Sequence, residues 1–309
     1  MTVALIACAL PRTAQGQPAK GGPVEVQMRN VMYHFSDSIA VYIRRLHGQL
    51  VPKGNLPVFD DKNSFTVHIE SSEMTISPDS LANSMNSYVF AKPDAPLRGL
   101  SIRVENSSRL IIKGKLQSKG DIPFEMAGTL AATPNGKIRL HAEDAKALHL
   151  PVKGMMDLLG VEVADLIKAG KMPGVQAEKD DLILDPSGLF PPPHISGQVS
   201  QVRLERGNVV LVFGGTGGDM PMHVRAANYM AFRGNQLRFG KLTMSDTDMV
   251  LIDMDPKDPF DFDLDQYKKQ LVAGYTRQTL SFGLRVFMRD YDKLGHGKGV
   301  TTANRTAPK

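Results

Sequence analysis

The sequence predicts an α+β fold: a long, curved antiparallel β-sheet wrapped on amphipathic helices, with further antiparallel strands added at the C-terminal end. Three observations carry this prediction. Alternate residues between Ile122 and Thr133 are apolar, as in a strand with one buried face. The turn Pro134-Asn135-Gly136 leads into a second alternating run that begins at Ile138, which favours an antiparallel pair with positive-φ residues in its turn. Past Leu150 the apolar residues change to the spacing of a helix.

The first 19 residues have the composition of a secretory leader. An apolar run from Thr2 to Leu10 is followed by an Ala-, Gln-, Gly- and Pro-rich stretch from Pro11 to Ala19. The residues up to Cys8 resemble a bacterial lipoprotein box, but the short apolar region favours simple cleavage. We therefore expect an extracytoplasmic protein, periplasmic or secreted, with lipid attachment through Cys8 as the alternative. Cys8 is the single cysteine, so no intramolecular disulfide is expected.

The next region predicts three strands and a helix. Alternating residues indicate strands from Val24 to Phe35 and from Ile39 to Leu50, and a third that begins at Phe65. Ser77 is a typical N-cap, and Pro78 suits the first helical position. The apolar stripe of this helix consists of Leu81, Met85, Tyr88 and Val89, and its solvent-facing side consists of Asn83, Ser84, Asn86 and Ser87.

A longer amphipathic helix is predicted from Val152 to Lys168, entered at Pro151 and ended at Gly170. Its apolar stripe consists of Val152, Met155, Met156, Leu159, Val163, Leu166 and Ile167. This helix is expected to lie on the apolar face of the sheet. Its polar side is acidic, which favours a wall or lid over a helix that lies on an anionic membrane.

The proline run Pro191-Pro192-Pro193 marks the predicted boundary between a first region, 20–190, and a C-terminal β-rich extension, 191–294, that packs on the same sheet. A hairpin is expected from His194 to Phe213, turned at Arg206-Gly207. Further strands are predicted over Asn228–Phe232, Gln236–Met244, Met249–Met254 and Phe282–Met288, with a helix that carries Leu264, Tyr267 and Leu271. Residues 295–309 read as a disordered tail.

The net charge of +5 does not indicate a nucleic-acid partner. One positive charge lies in the leader, at Arg12, and three lie in the tail, which leaves about +1 for the rest of the chain. The sequence also lacks a nucleic-acid motif and a basic face interleaved with aromatic residues.

Sequence signals of catalysis and metal binding are weak. Asp246-Thr247-Asp248-Met249-Val250 fits the Asp-x-Asp-x-Val signature of haloacid-dehalogenase phosphatases, but that motif requires the end of a parallel strand in a doubly wound fold. The glycine-rich segment 214–218 fits neither a dinucleotide nor a phosphate loop. Serine hydrolases carry a Gly-x-Ser-x-Gly elbow, which this chain lacks.

Eight aspartates lie within the twenty positions from Asp246 to Asp265. Their spacing differs from that of a calcium loop, so a solvated surface is favoured over a weak calcium site. The histidines are scattered, without the spacing of a zinc helix. Strand alternation predicts that His141 and Glu143 share a face and that Asp144 points to the other. We expect no metal and no cofactor.

The stretch GTLAATPNGKIRLHAEDAKALHLPVKGMMDLLGVEVADLI, Gly128 to Ile167, resembles the tubular lipid-binding (TULIP) superfamily in its order of strand, Asn-Gly turn and helix. It is most similar to the bacterial LmeA-like phospholipid-binding proteins. The resemblance covers Val24 to Leu184 and carries no invariant catalytic residues. It implies a highly curved antiparallel sheet wrapped on a helix, a groove for acyl chains and an extracytoplasmic location. The chain departs from that pattern after Pro191.

We therefore expect a non-enzymatic protein of the cell envelope that binds or transfers lipid, with a phospholipid or another long-chain lipid as ligand and transient contact with a membrane. The residues expected to line its groove are Phe124, Met126, Leu130, Met155, Met156, Leu159, Val163 and Leu166. A strand of twelve residues spans about 40 Å, long enough for an acyl chain. The alternatives are a structural envelope module with a solid core and, more weakly, a phosphatase that uses Asp246 and Asp248.

Overall fold

The computed structural model describes residues 21–93, 95–117, 121–147, 150–152, 174–178, 181–215 and 220–294. The predicted leader, residues 153–168 of the predicted helix and the predicted tail lie outside these residues. Val152, the predicted first residue of that helix, instead lies in a short strand, Leu150–Val152, so the prediction is wrong at this residue.

The described residues form twenty β-strands. The first ten are β1 Val24–Ser36, β2 Ile39–Pro52, β3 Phe65–Ile76, β4 Leu97–Val104, β5 Arg109–Leu116, β6 Ile122–Ala132, β7 Ile138–Ala147, β8 Leu150–Val152, β9 Val175–Glu178 and β10 Asp181–Leu184. The second ten are β11 His194–Ser196, β12 Val199–Glu205, β13 Asn208–Phe213, β14 Tyr229–Gly234, β15 Leu237–Phe239, β16 Leu242–Met244, β17 Thr247–Asp253, β18 Phe260–Asp263, β19 Tyr275–Gln278 and β20 Leu284–Met288.

Two sheets contain most of these strands. The large sheet has eleven strands in the order β12-β13-β3-β2-β1-β14-β17-β20-β19, with β11 paired to β3 and β18 paired to β1. The small sheet has seven strands in the order β4-β5-β6-β7-β10-β9, with β8 paired to β7. Most pairings are antiparallel, which confirms the antiparallel sheet predicted from the alternating sequence; the pairs β1–β18, β3–β11 and β17–β20 are parallel.

The helices are short. Helix α1, Pro78–Ser84, begins at the predicted cap, where the Ser77 hydroxyl accepts a hydrogen bond from the Ser80 amide at 3.1 Å. It continues into one π-helical turn, Met85–Val89. The prediction that Ser84 faces solvent is wrong, because Ser84 is buried. Its hydroxyl donates a hydrogen bond to the Leu189 carbonyl, which satisfies this polar group inside the protein. Helix α2, Tyr267–Val272, contains the predicted helical residues Tyr267 and Leu271, whereas Leu264, also predicted in this helix, lies in the turn before it.

Local irregularities explain three further differences from the predictions. Residues 236–244 form the hairpin β15–β16 instead of one strand, because Gly240 turns the chain at a φ of +58°. The chain from His194 gives a separate strand, β11, that pairs with β3 before the predicted hairpin β12–β13 begins. In the turn after β6 only Gly136, at +74°, has a positive φ.

The alternation predicted for β7 fails at a β-bulge. The register between β6 and β7 shifts after Ala127, so that Glu143 and Asp144 are both exposed. Arg109 of β5, which is separated from β7 by β6, contacts both carboxylates. A bulge places two successive residues opposite one partner, which is why strict alternation does not hold there.

One continuous cluster of buried apolar side chains connects the two sheets. Its largest fully buried members are Phe190, Phe213, Phe232, Phe260 and Phe262. Strand β13, with its buried run Val209 to Phe213, pairs with the end of β3 and so brings the C-terminal strands next to the small sheet. The two sheets therefore share one core in which the space between them is bounded by apolar faces.

Candidate functional site

An apolar cavity lies between the small sheet and the end of the large sheet; we call it the inter-sheet cavity. Its lining side chains are all aliphatic, thioether or aromatic. They come from both sheets, from the α1 segment and from the chain near Leu189: Ile76, Leu81, Met85, Phe90, Leu97, Leu100, Ile102, Leu110, Ile112, Phe124, Met126, Leu130, Ile138, Leu140, Val175, Leu182, Leu184, Leu189, Val209 and Leu211.

The small sheet provides most of this lining because its strands turn one apolar face inward. Phe124 of β6 lies opposite Gly114 of β5 in the antiparallel register. A β-carbon at Gly114 would come within 3.0 Å of the Phe124 ring and 2.7 Å of the Leu100 side chain. Glycine at this position therefore gives the Phe124 ring the space it occupies at the edge of the cavity.

The inter-sheet cavity is narrow. Its atom-free space is about 900 Å³ when the part open to solvent is included, and about 80 Å³ admits the centre of a water molecule. A single water needs roughly 10–15 Å³ by that second measure, so the cavity exceeds a packing defect. Apolar cavities of this kind stay dry, since a water inside would find no hydrogen-bond partner.

A second apolar cavity lies on the inner face of the large sheet; we call it the large-sheet cavity. Strands β1, β2, β3 and β14 contribute most of its lining, and Phe59, Phe262 and Leu264 cover it. Its atom-free space is about 530 Å³ when the part open to solvent is included, and about 40 Å³ admits the centre of a water molecule. Met74 lines the large-sheet cavity and Ile76 lines the inter-sheet cavity, so the two cavities follow one another along the same face of β3.

Two stacked phenylalanine rings lie where the two cavities approach each other. Phe35 lines the large-sheet cavity, and its ring stacks on that of Phe190 at a centroid distance of 5.2 Å. Phe190 is 1% exposed and directly follows Leu189, which lines the inter-sheet cavity. We interpret the Phe35–Phe190 pair as a partition between the cavities.

The structure brings together the three predicted groove residues that it describes: Phe124, Met126 and Leu130 all line the inter-sheet cavity. The other five, Met155, Met156, Leu159, Val163 and Leu166, lie outside the described residues. Sequence reasoning missed the lining from distant strands, such as Ile76 and Val209, which are register partners in β3 and β13. The sequence signal for Val209 was the unbroken apolar run of β13.

The aspartates of the region 246–265 have structural partners. Asp248 pairs with Arg285 at 2.9 Å, and Asp265 pairs with Lys62 at 2.8 Å. In the phosphatase motif, Asp246 is exposed and Asp248 lies at the start of β17, whereas the motif requires the end of a parallel strand in a doubly wound sheet. Strand β17 pairs parallel with β20 but antiparallel with β14. Within the ranges described, no group of three or more His, Cys, Asp or Glu side chains is arranged to hold a metal.

Lys293 forms ion pairs with three carboxylates that lie close together beside this region. Its ammonium nitrogen lies 3.1 Å from Asp255, 2.9 Å from Asp258 and 2.9 Å from Asp290. Burial raises the pKa of Asp290, whose side chain is 1% exposed, and it raises the pKa of Asp253 to about 6. The ion pairs to Lys293 therefore compensate for the burial of negative charge.

We expect Lys293→Met to destabilise the protein more at pH 8 than at pH 5. Without the ammonium group, the folded-state pKa of Asp290 rises further above its unfolded value, so stability falls as the pH rises through that folded pKa. Urea unfolding at the two pH values measures the effect. Lys62→Met is the matched control, because its partner Asp265 is exposed. An equal loss at both pH values would contradict this account of the cluster.

Comparison with protein families, with curated proteins and with solved structures finds no match to this chain. Among the described residues, no helix combines the length and apolar character that a membrane span requires. The geometry of the cavities therefore carries the functional argument.

Proposed function

We propose that this protein is a non-enzymatic, extracytoplasmic lipid-binding or lipid-transfer protein, similar in plan to the tubular lipid-binding superfamily. It holds the acyl chain of a phospholipid or another long-chain lipid in the inter-sheet cavity. The observation that carries the proposal is the lining of this cavity, in which twenty side chains from both sheets and the α1 segment are all apolar. The space that admits the centre of a water molecule, about 80 Å³, is smaller than the roughly 300–1,000 Å³ of ligand cavities, so the lining side chains must move apart to admit an acyl chain.

The chemistry of the lining decides which part of a lipid enters. A charged headgroup buried without a partner would lose its hydration at a large cost in free energy. A methylene chain gains about 0.8 kcal/mol for each buried CH₂ group. The acyl chain therefore occupies the cavity, while the headgroup stays at the solvent-facing end.

The alternative is a structural envelope module whose core is essentially filled. The narrowness of the inter-sheet cavity favours this alternative, because only about 80 Å³ of it admits the centre of a water molecule. In the lipid-binding proposal, the side chains of Met85 and Met126 move aside as the chain enters; unbranched thioethers adapt their shape at low cost.

Titration with a polyene fatty acid, whose fluorescence rises in apolar surroundings, tests the proposal. We expect saturable binding to delipidated protein and an affinity that increases about fourfold with each added CH₂ group until the cavity is full. Binding that is weak, unsaturable and independent of chain length would favour the structural module.

A further inference from the structure

The turn between β19 and β20 presents two large apolar side chains to solvent. Leu280 is 104% exposed and Phe282 is 83% exposed, the two highest values among the large hydrophobic residues of the described chain. Phe282 also has a φ of +63°, which bulky side chains rarely adopt. We call Leu280 and Phe282 the hairpin tip.

Hydrogen bonds hold the hairpin tip in a defined turn. The Thr279 amide donates to the Gly283 carbonyl at 2.8 Å, and the Gly283 amide donates to the Thr279 hydroxyl at 2.8 Å. The Phe282 amide donates to the Thr279 carbonyl at 3.0 Å. The exposure of the two apolar side chains is therefore a consequence of an ordered turn.

A basic crevice lies beside the hairpin tip, on the outer face of β14, β17 and β20. Its polar lining includes Arg225, Arg233 and Arg285, with Asp248 as its one carboxylate. Asp248 is paired with Arg285 at 2.9 Å. Arg225 and Arg233 are exposed and form no ion pair within the described part of the chain. With respect to the described residues, the crevice therefore offers two guanidinium groups without an ion-pair partner.

The crevice and the hairpin tip are adjacent. Arg233 and Asp248 are register partners in β14 and β17. Asp248 in turn lies against Gly283 at the base of the tip, where a β-carbon would come within 2.1 Å of its carboxylate oxygen. The crevice thus reaches the base of the hairpin tip through Asp248, and we call the apolar and basic side chains of the two features the docking surface: Leu280, Phe282, Arg225, Arg233 and Arg285.

Buried Gln27 fixes the outer wall of the crevice. Its side-chain amide donates to the Met222 carbonyl at 2.8 Å and accepts from the Met222 amide at 2.9 Å. It also donates to the Tyr229 hydroxyl at 2.5 Å. The segment that carries Arg225 is therefore anchored to the sheet close by, so that this part of the basic surface is preformed.

We propose that the docking surface binds the surface of an anionic lipid bilayer. Leu280 and Phe282 insert among the acyl chains near the headgroups, and the arginines bind phosphate oxygens, which guanidinium groups contact in a bidentate way. Two side chains on a narrow turn give little of the roughly 1,200 Å² that a stable protein interface buries, whereas a bilayer accepts a small apolar insertion. The inference deepens the proposed lipid function by assigning where the protein meets its lipid source.

The chain has no tryptophan, so Phe282→Trp introduces a single fluorescent reporter at the hairpin tip. With vesicles of phosphatidylcholine and phosphatidylglycerol, we expect its emission to shift to shorter wavelength, and to shift less at high salt or with phosphatidylcholine alone. Val272→Trp is the matched control: Val272 is 77% exposed but precedes β19, away from the tip, and its emission should not change.

Sedimentation of the otherwise wild-type protein with the same vesicles completes the test. Leu280→Ser/Phe282→Ser should weaken binding at least about tenfold, and Arg225→Gln/Arg233→Gln should remove the preference for anionic vesicles. Absence of sedimentation, equal emission shifts at positions 272 and 282, or a dimer that the serine variant dissociates would overturn the proposal. Lipid extraction separates the docking proposal from the proposed lipid binding in the inter-sheet cavity. A protein that carries lipid but does not bind vesicles refutes only the docking proposal. A protein that binds vesicles but carries no lipid refutes only the cavity proposal.

Discussion

Phe190→Ala is expected to lower the free energy of unfolding by about 3 to 5 kcal/mol, the usual loss for a fully buried phenylalanine. Phe190 is 1% exposed and stacks on Phe35 between the two cavities. Removal of its ring leaves a hole that the surrounding side chains fill only in part. Because that hole lies between the inter-sheet and large-sheet cavities, it should join them and allow longer acyl chains to bind.

Urea unfolding measures the loss of stability, and mass spectrometry of extracted lipid measures the chain length. Phe282→Ala is the matched control, since it removes the same ring from a position that is 83% exposed, and it should change stability by no more than about 0.5 kcal/mol. If Phe190→Ala costs no more than the control, the ring is not packed as described. An unchanged chain-length profile would contradict its role as a partition.

Leu140→Phe should weaken lipid binding strongly and leave a folded protein. Leu140 is 4% exposed, but its side chain lines the inter-sheet cavity, so a larger ring can enter the space that the acyl chain would use. We expect a loss of stability below about 1 kcal/mol, because the ring fills existing space. The fatty-acid titration should show at least a tenfold weaker affinity.

Leu251→Phe is the control for this substitution. Leu251 is fully buried in β17 and lines neither cavity, so the same change overpacks the core and costs about 1 to 3 kcal/mol while lipid affinity stays unchanged. Equal destabilisation by the two substitutions would mean that the inter-sheet cavity offers no free space. That result would favour the structural module with a solid core.

The local parts of this fold could be predicted from the sequence. Period-two alternation identified β1, β2, β6 and β7 to within a few residues, because one face of each strand is buried and the other meets solvent. Ser77 and Pro78 identified the start of α1, since capping depends on a few adjacent residues. Phe124 and Met126 could be placed on the apolar face for the same reason.

The long-range parts could not be predicted. No local pattern shows that β13 pairs with β3, or that β14 lies beside β1, because those pairings join residues far apart in the chain. Ile76 and Val209 were missed as cavity residues for that reason. Strands β18 and β19 have four residues each, too few for a period to be recognised, and the bulge in β7 reversed the expected direction of one side chain.

The domain boundary at Pro191 and the assignment to the tubular lipid-binding superfamily remain predictions. Strands from both sides of that boundary contribute to the large sheet, since β1 pairs with β14 and β18, and β3 pairs with β11 and β13. The inter-sheet cavity likewise takes its lining from both regions. We therefore expect that a chain cut at residue 190 would lack one wall of the proposed lipid site.

Native mass spectrometry of the protein purified from a bacterial envelope, followed by lipid extraction, tests the central proposal most directly. The proposal predicts a species heavier than the polypeptide by the mass of one phospholipid or other long-chain lipid, and the same lipid in the organic extract. Delipidated protein should regain that mass after incubation with liposomes. A protein that emerges empty and stays empty after this incubation would contradict the proposal that the inter-sheet cavity holds an acyl chain.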